Sequence, residues 1–162
     1  MKIRTSGWLV AAAGLALAFS QSSCTGDTSV AQTTPMPEKQ FLNDEGAKPN
    51  GYTHVVTSPP GKMIFLSGAG GSAADGTMPS DFATQAENTF QSLERRLQAA
   101  GATFADVVKI NYFLRNMEDL TVLREVRSKY LNMEQPPAAT AVEAGLSGEM
   151  LLEVEAIAIV PE

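Results

Sequence analysis

Residues Leu151–Val160 read LLEVEAIAIV. Side chains of a strand alternate between its two faces, so Leu152, Val154, Ala156, Ala158 and Val160 share one side. Leu151, Glu153, Glu155, Ile157 and Ile159 share the other. Both sets contain large apolar residues. Such a strand needs cover on both faces, whereas a strand with one wet face would alternate apolar with polar. The fold is decided by what covers each side.

Helices supply the first cover. Phe82, Ala86, Phe90, Leu93, Leu97 and Ala100 recur at spacings of three and four, which is one apolar stripe of an amphipathic helix. Pro79-Ser80-Asp81 opens it, with Ser80 as the expected N-cap, and Gly101 closes it in the C′ place. A second helix is expected from a cap at Asn116, with Asp119 in its first turn, to about Leu131. Pro136-Pro137 prevents it from continuing.

The other strands read as Thr53–Ser58, Met63–Ser67, Val107–Leu114 (VVKINYFL) and Ala139–Ala144. Pro59-Pro60-Gly61 predicts a turn that pairs the first two as a hairpin. Gly68–Thr77 reads as loop and Gly145–Gly148 as a turn. The order is β-β-α-β-α-β-β, an α+β fold with two helices on one face of a mixed sheet. No element remains for the second face of the last strand. A further copy of the same chain, packing sheet against sheet, is the economical cover.

Composition narrows the chemistry. The chain has 162 residues, one domain's worth, with 44% hydrophobic and 19% charged residues. The formal net charge is -6, which argues against a nucleic-acid partner. One Cys excludes an intrachain disulfide and a Cys-rich zinc site, and one His excludes a multi-histidine metal centre. No metal is expected.

The N-terminus reads as a targeting segment. Lys2 and Arg4 precede an apolar run, Trp8–Phe19, too short to span a bilayer and suited to a signal h-region. Ser20–Ser23 and then Cys24 follow. This arrangement resembles a bacterial lipoprotein site with Cys24 as the lipidated residue, although Gln21 stands where an aliphatic residue is usual. An ordinary secretory signal cleaved near Ala31 is the other reading. Either predicts an exported protein, periplasmic or in the cell envelope; the first adds a lipid anchor on Cys24 as its one contact with the membrane. The expected boundaries are a signal over residues 1–23, a flexible tether over 24–50 and a folded domain over 51–162.

The folded part resembles the RidA (YjgF) family. The matching segments are GYTHVV at Gly51–Val56, IFLSG at Ile64–Gly68, LQAAGATFADVVKINYFL at Leu97–Leu114, NMEDL at Asn116–Leu120, PPAATAVE at Pro136–Glu143 and LEVEAIAIV at Leu152–Val160. They follow the family's order and spacing over nearly all of Gly51–Glu162. The resemblance implies a chorismate-mutase-like fold, a homotrimer and small-molecule clefts between protomers. Archetypal members hydrolyse enamine and imine intermediates made by PLP enzymes to keto acids and ammonia, and need no cofactor themselves.

Carried over residue by residue, the resemblance implies a catalytic carboxylate at Glu153 that holds the water. It implies ligand contacts at Tyr52, Ser67 and the Gly68 backbone. The family's arginine for the substrate carboxylate falls at Ala139, and the small residue two further on at Ala141. Alanine cannot form the bidentate ion pair that fixes an α-imino acid, so acid-specific deamination is not expected in the family's manner. On the second helix the family's usual Asn is replaced by Arg124, a candidate compensating cation. Arg127 lies one turn on, among Leu120, Leu123, Val126 and Tyr130, and both arginines could equally reach solvent or pair with Glu118 or Glu125. Two functions stay open: a hydrolase of altered specificity, and a non-catalytic trimer that binds a small ligand in the same clefts.

Three further features invite weaker readings. Glu153 and Glu155 share a face, and Glu155 reads better as a structural acid at an oligomer interface. His54, the single imidazole, reads as structural or exposed. Gly68–Gly76 lacks G-x-G-x-x-G and a Lys, so it is not read as a phosphate loop.

Overall fold

The computed structural model describes residues 38–47 and 50–162. The signal, Cys24 and the first part of the expected tether lie outside the described residues. The elements are β1 (Gln40–Leu42), β2 (Val55–Thr57), β3 (Gly61–Gly70), α1 (Phe82–Ala99), β4 (Val107–Leu114), α2 (Leu120–Arg127), β5 (Ala138–Glu143) and β6 (Leu152–Pro161).

The long last strand is central, as its two apolar faces require. The four-stranded sheet has the order β3-β6-β4-β5. β6 runs antiparallel to both β3 and β4, and β4 pairs with β5 in parallel, so the sheet is mixed. Leu152, Val154, Ala156 and Ala158 are buried with Ile110, Tyr112 and Leu114 of β4 and with the α1 stripe Phe82, Ala86, Phe90, Leu93 and Leu97. Leu123 and Val126 of α2 join the same core. Both helices therefore serve one face.

Two expectations about the first strands are corrected. β3 pairs with β6 and not with β2; the tight Pro59-Pro60-Gly61 turn leads the chain away from β2. β2 pairs instead with β1, which lies in the stretch expected to be tether. The fold thus begins before Gly51, and further contacts secure this addition. Lys39 Nζ donates to the Ala105 carbonyl at 2.6 Å, and the His54 N–H donates to Asn43 Oδ1 at 3.0 Å.

Helix boundaries also shift. The N-cap of α1 is Asp81, not Ser80: its carboxylate accepts from the Thr84 N–H at 2.8 Å, the reach that an N-cap side chain has to the third helical residue. Gly101 follows the C-cap with φ of 76°, the left-handed conformation that glycine adopts without cost. Asn116 caps a 3-10 turn, Met117–Asp119, ahead of α2, and α2 ends at Arg127, one turn short of Leu131. The Lys129, Tyr130 and Leu131 N–H groups bond back to carbonyls of Val126 and Arg127 as the helix unwinds.

The second face of the sheet is open. Met63 and Phe65 of β3 stand beside Ile159 and Ile157 of β6, and Lys109, Asn111 and Phe113 of β4 stand beside Ile157, Glu155 and Glu153. Phe65 is 70% exposed and Met63 55%. Exposed apolar side chains standing together on one sheet face mark a surface that is covered in the working protein.

Candidate functional site

The candidate residues fall into two groups on opposite faces of the sheet. The first group is on the open face. Glu153 sits in β6 between Phe113 of β4 and Gly70 of β3. A register shift between Leu66 and Ala69 takes Ser67 and Gly68 out of the ladder. Bulges of this kind re-aim backbone near functional sites. Here the bulge brings Gly68 against the Glu153 carboxylate so closely that a Cβ at position 68 would overlap Oε1. Arg96 Nη1 holds the bulge by donating to the Ser67 carbonyl at 3.0 Å.

Glu155 shares this face but has a structural partner. Its Oε1 accepts from Asn111 Nδ2 of the neighbouring strand at 2.8 Å. It lines a hollow of about 400 Å³ with Phe65, Ser67, Lys109, Asn111 and Ile157. The hollow lies within the open apolar face, so any covering chain would roof it.

The second group lies on the helix side, at the β5 edge. Ala139 pairs with Ile110 and Ala141 with Tyr112, which places both small residues on the inner face. Together with Asn50, Tyr52, Tyr112, Leu120, Arg124 and Arg127 they line a cavity of about 140 Å³. Tyr52 is brought here by its neighbours. Gly51 turns the chain at φ of 80°. Thr53 then fixes it to the start of β5, its Oγ1 donating to the Pro136 carbonyl at 2.6 Å and its N–H to the Pro137 carbonyl at 3.2 Å.

Arg124 lines this cavity, and Arg127 lines it from deeper in the fold. Arg127 is 6% exposed, and its Nε is buried without a hydrogen-bond partner. Neither arginine pairs with Glu118 or Glu125; the ion pair among the described residues is Lys129–Glu87. The Arg127 guanidinium carbon stands 5.7 Å from the Tyr112 ring centroid. A cation–π contact contributes on the order of 1–2 kcal/mol, less than the several kcal/mol it costs to desolvate a charge.

Tyr112 is the residue that sequence reasoning missed. The alternation of VVKINYFL places it in the core, which explains its burial but does not point to its hydroxyl. That hydroxyl is buried without a hydrogen bond of ordinary geometry. Burial pushes its pKa up to about 12, and the Arg127 charge only partly offsets this. It is therefore a neutral donor at any physiological pH. His54 is turned away from catalysis: its Nδ1 accepts from the Asp44 N–H at 3.1 Å, and its ring lies 5.5 Å from that of Tyr52. No group of three or more His, Cys, Asp or Glu that could hold a metal occurs among the described residues.

Within one chain, then, Glu153 with Gly68 and the arginine cavity with Tyr52 face away from each other across a sheet.

Residues 45–160 match the family described as Endoribonuclease L-PSP. A RutC family protein of Pyrococcus horikoshii is 35% identical over 129 residues, 74% of this chain and 97% of the relative. The crystal structure of the Rid family protein YyfB of Yersinia pestis superposes with a TM-score of 0.66 at 25% identity, covering 76% of this chain and all of that one. A protein of Dermatophagoides farinae named 2-iminobutanoate/2-iminopropanoate deaminase is 26% identical over 102 residues, 62% of this chain and 80% of the relative. The chain belongs to the RidA/YjgF family.

Proposed function

We propose that the chain is a hydrolase of small imines or enamines, working as a homotrimer whose clefts join Glu153 of one protomer to the Tyr52–Arg124 pocket of the next. The observation that carries this reading is the placement of Glu153 against the Gly68 bulge, on a face that lies opposite the cation pocket. The deaminase name of the Dermatophagoides relative supports the reaction class.

The chemistry asks little of the protein. Glu153 takes a proton from water as the oxygen adds to the carbon of the C=N bond. That proton passes to nitrogen to give a carbinolamine; Glu153 then moves the hydroxyl proton to the amine as the C–N bond breaks, releasing ammonia and leaving a carbonyl. Acid–base help of this kind contributes about 10²–10⁴-fold in rate. Ala139 removes the strand cation of the archetype, so the specificity differs from that for simple α-imino acids. The endoribonuclease label of the family description finds less support: the net charge is -6 and the one His is engaged with Asp44.

The export reading completes the proposal. Residues 1–23 act as a signal, and Cys24 carries the lipid that holds the trimer at the envelope. Ala139 also favours a second reading, a tethered trimer that binds its ligand without turning it over. The deciding assay generates imines in situ from amino acids and follows semicarbazone formation. Turnover that disappears in Glu153→Gln supports the hydrolase. Absence of turnover on every imine offered, with ligand binding retained, establishes the binding trimer instead.

A further inference from the structure

The polar side chains that line the cavity beside Ala139 and Ala141 are donors, and none of the described residues lining it is a carboxylate. Its two cations stand at different depths. Arg127 is buried with its Nε unpartnered, next to the unpartnered hydroxyl of buried Tyr112. Arg124 is exposed on the preceding turn of the same helix and lines the same cavity. Among the described residues neither has an acidic partner. A buried guanidinium with no counter-charge among the described residues of its own chain, beside a phenol held neutral, suits an anion.

One carboxylate occupies one guanidinium in the bidentate manner. Two guanidiniums, one at the floor and one at the mouth, match two anionic groups on one molecule. We propose that this pocket is a subsite for small dicarboxylates, with Arg127, backed by the buried Tyr112, holding one carboxylate and Arg124 the other. The inference rests on the proposed function for its consequence: the preferred imines derive from amino dicarboxylic acids, and the products are 2-oxo dicarboxylates. The binding claim itself does not depend on turnover.

The test is calorimetric titration of the wild-type protein with stable 2-oxo acids. 2-Oxoglutarate is expected to bind at least about tenfold more tightly than 2-oxobutanoate, and more tightly than inorganic phosphate. Arg124→Met should remove that preference by weakening 2-oxoglutarate about tenfold more than it weakens 2-oxobutanoate. Tyr112→Phe should weaken both ligands several-fold, and Arg127→Met should abolish both. If Arg127→Met does not fold, the other two variants decide.

Equal affinity for 2-oxoglutarate and 2-oxobutanoate overturns the proposal. So does a dicarboxylate preference that survives Arg124→Met, or phosphate binding as tight as that of 2-oxoglutarate. Binding in the expected order without imine turnover removes the hydrolase reading alone. Imine turnover without dicarboxylate preference removes this inference alone.

Discussion

Gly51 lies directly against the guanidinium of Arg127: a Cβ at position 51 would overlap Nη2. The backbone there also has φ of 80°, which a side chain disfavours by about 1–2 kcal/mol. Gly51→Ala should therefore both strain the turn and displace the buried cation. Thermal denaturation should show Tm lowered by about 5 °C or more. Anion binding in the Arg127 cavity should weaken in the same variant. An unchanged Tm would show that the guanidinium is not seated where the fold places it.

The open sheet face gives a second prediction. Phe65 is 70% exposed and contributes nothing to the core of its own chain. It stands beside Ile157, on the face that needs cover. Phe65→Glu should convert the oligomer to a folded monomer, read as a drop to one chain's mass in light scattering with the far-ultraviolet dichroism preserved. Imine turnover should fall with the assembly, because each chain carries only half of the cleft. A variant that remains trimeric would place the interface elsewhere.

Alkaline pH should weaken the fold in a defined window. The Tyr112 pKa is raised from 10.0 to about 12, mainly by burial. A group whose folded pKa is raised lends stability that is complete below the unfolded value and lost as pH climbs through the folded one. The window therefore runs from pH 10 to about 12, and the loss from Tyr112 is about 2 kcal/mol at its end. Tyr130, raised in the same direction to about 12 by burial and by its hydrogen bond to Glu87, adds to the fall. Urea denaturation across this range should show the decline, and Tyr112→Phe should make it shallower. A decline of the same size in that variant would assign it to other groups.

Localisation should depend on Cys24. Cys24→Ser should release the protein from the membrane fraction and abolish labelling by a fatty-acid probe. Unchanged labelling would mean that lipid is attached elsewhere.

Much of the fold was legible because the apolar pattern is strong. The α1 stripe buries as its spacing predicts, β4 occupies Val107–Leu114 as read, and LLEVEAIAIV becomes the central strand. Strand partners were less legible. β1 is a short strand, QFL, inside a polar stretch, and its pairing with β2 depends on contacts remote in sequence such as Asn43 with His54. The SG bulge and its closeness to Glu153 also require the β3–β6 register, which no local pattern encodes.

Motif position put Glu153, Tyr52, Ser67 and Ala139 forward; which of them share a face of the sheet follows only from the strand register, with Glu153 beside the Ser67–Gly68 bulge and Tyr52 with Ala139 on the helix side. Arg127 had a signal, a cation within the apolar arc of α2. A helical wheel cannot tell a snorkelling arginine from a buried one, and only the position of Gly51 decides that it is buried. Tyr112 gave no such signal, because a tyrosine in a core strand is ordinary.

The central claim is that a working cleft takes Glu153 from one protomer and the Tyr52–Arg124 pocket from another. Two variants, each inactive alone, test it most directly. Glu153→Gln removes the carboxylate, and Ala139→Phe fills the pocket at its wall. Unfolded together in equal amounts and refolded, they should form mixed trimers in which intact clefts arise between unlike protomers. Imine turnover should return to about a quarter of the wild-type rate, the share of clefts that random mixing leaves intact. No recovery, from mixed trimers verified by native mass spectrometry, would contradict the account.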